Sequence, residues 1–181
     1  MHSRLAELTE YLTQQRRAVL TAAAAAPTAL WTERPAPDRW SVSQILEHLN
    51  RVERGAAGVL SKRIARAREA GHPPETETSS VLGSLDRFAV SDRDRRLVAP
   101  ELVDPAENPD AETMQQRLAE SRAALFAAIE RGDGLALGEI RHTHLRFGEL
   151  NLYEWILFVG EHEKRHASQI VEVAAQLAPV A

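Results

Sequence analysis

Apolar residues recur three and four positions apart over four long stretches of this chain, and nowhere do they alternate convincingly with polar ones. That spacing gives each stretch one apolar helical face, and a chain of such stretches buries them by packing helix against helix. The first runs from Ser3 to about Ala26, with Leu5, Leu8, Leu12 and Val19 in register and Pro27 closing it. A linker from Pro27 to Trp40 carries three prolines and cannot be helical throughout. Ser41, with Gln44 three residues on, forms a capping-box signature that opens a second helix reaching about Ala70. Ile45, Leu49, Val52, Ala56, Val59 and Leu60 face inward from it, and Gly55 and Gly58 predict close approach of a neighbouring helix.

Gly71-His72-Pro73-Pro74 ends that helix, and a connection of nearly forty residues follows, in which Leu85 to Leu97 is expected to form one short charged helix. A connection that long can run back along a bundle, so the helices on either side of it need not be antiparallel. The third helix spans Ala111 to about Ile129, with Met114, Leu118, Leu125 and Ile129 on one side and Gly132 and Gly134 terminating it. Asn151 and Glu154 repeat the capping signature and start a fourth helix at Leu152, which ends near Leu177, before Pro179. The expectation is an all-α four-helix bundle without strands, one domain over residues 1–181, with a long crossover between helices two and three.

Inside the fourth stretch, His162 and His166 lie one helical turn apart and point the same way. Trp155, Phe158, Val159, Ile170 and Val173 share or border that face, so both rings point inward, where an unpartnered ring nitrogen costs about 1–3 kcal/mol. Two readings satisfy them: hydrogen-bonded histidines of a bundle interior, or ligands of a metal ion. His48 lies three residues after Ile45 and four before Val52, on the border of the apolar stripe of helix two. Facing helices can bring one single and one paired histidine to a common point. Three nitrogens leave open coordination positions, as in catalytic rather than closed sites. They also leave a dication its full charge and favour an anion there: hydroxide, carboxylate or thiolate. Glu47, Glu161 and Glu163 flank these histidines in sequence but point away around the helix, and read as solvated or outer-shell groups.

Composition narrows the chemistry. The chain has no cysteine, so no thiolate ligand, disulfide or protein thiol nucleophile takes part, and any metal is held by nitrogen and oxygen. With 22 Lys and Arg against 26 Asp and Glu, the net charge of -4 gives no general attraction to nucleic acid or anionic membranes. No run of about 18 apolar residues is present, and the start, MHSRLAELTEYLTQQRR, lacks the apolar core of a signal peptide. A cytoplasmic protein is expected, without nucleic-acid or membrane partners.

Trp40-Ser41-Val42 leading through Ile45 and Leu46 to His48-Leu49, then Gly148 to Leu152 with Trp155, then His162, Arg165-His166 and Gln169, resembles the DinB-like superfamily. The resemblance implies an up-down-down-up four-helix bundle, which the long second connection suits. It also implies a divalent metal, zinc or nickel in different members, bound by the histidines matching His48, His162 and His166. Some members resemble metal-dependent transferases that use low-molecular-weight thiols such as bacillithiol or mycothiol; others are described only as hydrolases, and many have no established reaction. His144 occupies the family's H-x-x-F-G pattern and reads as pocket lining or a turn contact, near His142; Gln169 and Trp155 are further candidates around the site, and Arg165 reads as structural. The expectation is a metal-dependent enzyme that transfers a small thiol onto an electrophilic small molecule, with the missing cysteine consistent with an external nucleophile. The alternatives are a hydrolase in which water takes the thiol's place, and a non-enzymatic stress-response binding protein. A homodimer is expected from the apolar stripe that amphipathic bundles often leave over.

Overall fold

The computed structural model describes residues 1–94 and 98–177. Its four long helices are α1 (Ser3–Ala24), α2 (Val42–Glu69), α3 (Ala111–Arg131) and α4 (Leu152–Leu177), with a two-stranded hairpin of β1 (Arg141–His144) and β2 (Gly148–Asn151) just before α4. The helix starts are set locally. Ser41 Oγ accepts from the Gln44 N–H while Gln44 Oε1 accepts from the Ser41 N–H, and Asn151 and Glu154 make the same reciprocal pair at 3.0 and 2.9 Å. Asp110 caps α3 through the Thr113 N–H. α1 stops two residues short of the expected Ala26, because the residue before Pro27 is pushed out of helical backbone and the Ala25 and Ala26 N–H groups tighten into three-residue turns. The carbonyls of Ala23 and Ala26 also accept from the buried Trp31 Nε1–H, 3.1 Å from each.

Contacts along the helices give their directions. Asn50 donates to the Arg117 carbonyl, Ser121 meets Glu53 and Arg131 meets Ser61, so α2 and α3 run parallel. Arg4 lies over the Tyr153 ring, Tyr11 meets Glu161 and Arg16 meets Glu163, so α1 and α4 run parallel. The start of α2 packs with the end of α4 and the end of α2 with the start of α4, so those two are antiparallel. This is the up-down-down-up bundle, and the crossover from Gly71 to Pro109 lets α2 and α3 lie side by side in one direction.

Three expectations fail in detail. The strands are a correction: Arg141 pairs with Asn151 and His144 with Gly148, antiparallel, with Gly148 at φ +71 supplying the left-handed residue that closes the short turn. Each strand is only four residues long and Leu150 is the one fully buried side chain, so no alternation marks them. In the crossover, only a single 3-10 turn, Asp86–Phe88, forms where Leu85 to Leu97 was expected to be helical. Ala89, at φ +46, breaks it, while Leu85 and Val90 anchor the segment by burial; residues 95–97 lie outside the described residues. Gly55 and Gly58 face open space, and the close approach falls at Gly160 instead, where Tyr11 lies against α4.

The core has two apolar halves, one around Leu8, Leu60, Leu125 and Ile156, the other around Val19, Ile45, Met114 and Ile170. Between them lies a ring of charge with one member from each helix. Arg16 reaches Glu53 at 2.8 Å and Glu163 at 2.6 Å, and Arg122 reaches Glu163 at 2.8 Å and Glu53 at 2.7 Å, the last a close ion pair out of line for a hydrogen bond. Among the described residues no helix is long and apolar enough to cross a membrane.

Candidate metal centre

His48 stands on the second turn of α2, and the antiparallel α4 brings His162 and His166 opposite it. The Nε2 of His162 is 3.2 Å from the Nε2 of His48 and 3.1 Å from that of His166, and all three nitrogens lie within 4.8 Å of one another. Nitrogens at about 2.0–2.1 Å from one tetrahedral ion are roughly 3.3 Å apart, and both separations from His162 are close to that.

The outer nitrogens decide what the inner ones present. His48 Nδ1 lies 2.7 Å from the Val103 carbonyl, which only accepts, so Nδ1 carries the proton and donates it there. His166 Nδ1 likewise donates to Gln169 Oε1 at 2.7 Å. Both Nε2 atoms therefore offer lone pairs to the centre, as the hydrogen-bond acceptors behind metal-bound histidines make them do. His162 Nδ1 is buried with no hydrogen-bond partner among the described residues. All three rings are held below their ordinary pKa, first by burial, so they stay neutral in the form that binds cations. Lone pairs turned toward one another are unfavourable unless something between them accepts electrons. The residues fit a divalent cation.

The family's sequence model for the DinB superfamily matches residues 11–170. The chain belongs to the DinB superfamily. It is also similar to the uncharacterized protein YuaE of Bacillus subtilis (strain 168), 27% identical over 149 residues, which cover 80% of this chain and 83% of YuaE. No solved structure matches it.

In this DinB-superfamily chain the three histidines open onto a cavity of about 1010 Å³ between α2, α4, the crossover and the hairpin. One wall is aromatic: His144 stacks on Phe147 at 4.8 Å and meets Phe158 edge-on at 4.5 Å, and Phe158 lies 5.3 Å from the His162 ring. Trp155 donates its Nε1–H to the His142 carbonyl at 3.0 Å and so pins the hairpin against α4. Trp40 faces His48 from the other side, at 5.1 Å. His144 lines the cavity, and its Nδ1 accepts the Arg146 and Phe147 N–H groups at 3.1 and 3.3 Å. The ring proton is then on Nε2, and burial, with Arg146 beside it, pushes the pKa down to about 4.

The acidic neighbours are a correction, since they are neither solvated nor at the centre. Glu163 belongs to the buried ring of charge, Glu47 is buried between Arg51 and Arg117, and Glu161 accepts from the Tyr11 hydroxyl; none of them lines the cavity. The Val103 carbonyl was invisible in the sequence, because a main-chain acceptor from a remote segment has no side-chain signature. Arg93 and Arg146 line the cavity too, and nothing in their spacing marked them.

Proposed function

We propose that His48, His162 and His166 hold a divalent ion, zinc or nickel, through Nε2, and that the protein is a metal-dependent transferase that joins a low-molecular-weight thiol to an electrophilic small molecule. The observation that carries this reading is the convergence of three Nε2 atoms, two of them with lone pairs fixed from behind, at the wall of an open cavity. A cation held by three neutral ligands keeps its full charge and lowers the pKa of a thiol or water that meets it.

The chain's own residues do the rest. Val103 and Gln169 hold the rings of His48 and His166 in one tautomer and orientation. The aromatic wall of Phe147, Trp155 and Phe158 excludes water and receives an apolar reactant. His144 presents an Nε2–H donor that stays neutral throughout the physiological range. One observation favours thiol transfer over hydrolysis. The cavity, at about 1010 Å³, sits at the upper end of the range for a single small ligand and has room for two reactants.

Elemental mass spectrometry of wild type and of His48→Ala, His162→Ala and His166→Ala tests the ligand set. About one equivalent of metal is expected in wild type and none in the variants; stoichiometric metal retained in the variants overturns the assignment. Monochlorobimane turnover, with and without bacillithiol or mycothiol, tests the chemistry. Turnover that requires both metal and thiol is expected, and metal-dependent turnover without thiol replaces the transferase with a hydrolase.

A further inference from the structure

The cavity beside the histidines carries a charge pattern opposite to that of the whole chain. Among the described residues its wall holds six arginines, at positions 39, 51, 54, 93, 146 and 165, against three carboxylates, Asp38, Asp104 and Glu172, in a chain of net charge -4. The acids are unevenly shared. Glu172 holds Arg93 through two contacts, 2.6 and 3.2 Å, and lies 3.9 Å from Arg39, while Glu47 serves Arg51. Arg54 and Arg146 pair with no carboxylate among the described residues; Arg146 donates to the Val98 carbonyl at 2.9 Å, which spans the cavity mouth from hairpin turn to crossover.

Three of these guanidiniums gather near the histidines from three separate parts of the chain: Arg93 from the crossover, Arg146 from the hairpin turn and Arg165 from α4. Arg165 is only 7% exposed. Arg93, Arg146 and Asp92 all lie within electrostatic reach of it. An anion arriving among three guanidiniums forms charge-assisted hydrogen bonds with them. Apolar surface continues outward from the same place. Val98, Leu102 and Leu145 line the mouth at 82%, 77% and 79% exposure, next to the Phe147 and Phe158 wall. Three large side chains left exposed around one opening offer contact to an apolar ligand.

We propose that the cavity takes a small organic anion whose oxyanion group lies against Arg93, Arg146 and Arg165 and whose apolar body runs along Phe147 and Phe158 to the rim of Val98, Leu102 and Leu145. This names the class of molecule for the cavity and rests on its reading as the substrate pocket, but the contacts that select the anion are the protein's own and need no metal.

The test uses full-length protein stripped of metal by a chelator, with the cavity tryptophans Trp40 and Trp155 as fluorescent reporters. Three ligands share one arylalkyl body and differ in head charge: 4-phenylbutyrate, 4-phenylbutan-1-ol and 4-phenylbutylamine. The carboxylate is expected to bind at least about ten-fold tighter than the alcohol, and the amine weakest. Arg146→Gln, at an exposed turn, reduces the carboxylate's advantage to less than about three-fold. Arg17→Gln, the same charge change on the exposed side of α1, leaves the advantage intact. Equal affinity for carboxylate and alcohol, no carboxylate binding below about 10 mM, or the same loss in Arg17→Gln as in Arg146→Gln overturns the proposal. Because no metal is present in this titration, its failure leaves the histidine assignment standing, and a wild type that purifies without metal leaves this proposal standing.

Discussion

A Cβ added to Gly160 meets the Tyr11 ring at 2.6 and 2.8 Å, distances at which something has to move. The ring is not free to swing, because its hydroxyl donates to Glu161 on the next residue of α4. Gly160→Ala is therefore expected to destabilise the protein by about 1–2 kcal/mol, even though alanine is the better helix former by about 1 kcal/mol. A urea titration checks this: a lower midpoint at unchanged slope is the expected result. Gly160 also shows where reading single residues stops. The caps at Ser41 and Asn151 were legible because each partner sits three residues away, inside the reach of a local rule. What faces a glycine on another helix follows no local rule, so Gly55 and Gly58 suggested a contact that the structure places at Gly160.

At the scale of the helix, the four apolar stripes were legible and the charges embedded in them were not. Arg16 lies four residues after Leu12 and three before Val19, Glu53 four after Leu49, Arg122 four after Leu118, and Glu163 four after Val159. The signal was there: two cations and two anions in register with apolar faces, one on each helix. It was missed because a charge on a helix is ordinarily solvated. Removing one member leaves a buried charge without its partner, so Glu53→Leu is expected to cost about 3–5 kcal/mol in equilibrium denaturation. Replacing all four residues with apolar ones of similar volume is expected to cost far less, and equal losses in the two variants would show that packing rather than charge holds this layer. The hairpin escaped for the opposite reason, since strands of four residues with one fully buried side chain carry too little pattern to read.

Over the whole molecule, the crossover is fastened to the bundle at several points, and Glu75 ties it to two helices at once. It accepts from the Tyr153 hydroxyl of α4 at 2.7 Å and from Arg4 of α1 at 3.3 Å. Burial alone would raise its pKa, but Tyr153, the Glu77 and Thr76 N–H groups and Arg4 outweigh burial and hold it below the usual 4.5. A carboxylate depressed in the folded state contributes stability that is complete above its unfolded pKa and is lost as pH falls through the folded one. Glu75→Gln is thus expected to melt below wild type at neutral pH, with the gap narrowing as pH falls below the usual 4.5; a gap that stays constant as the carboxylate protonates counts against the linkage. The long connection and the direction of the helices were legible together, but not the course of the crossover over the bundle, which depends on contacts such as this one. That course also brings the Val103 carbonyl to His48. An acceptor built from backbone belongs to no particular amino acid. Almost any residue at position 103 leaves the tautomer of His48 unchanged, whereas inserting or deleting a single residue between Pro100 and Asp104 shifts the carbonyl away. The partner that fixes His48 is thus written in the length of a loop rather than in its letters.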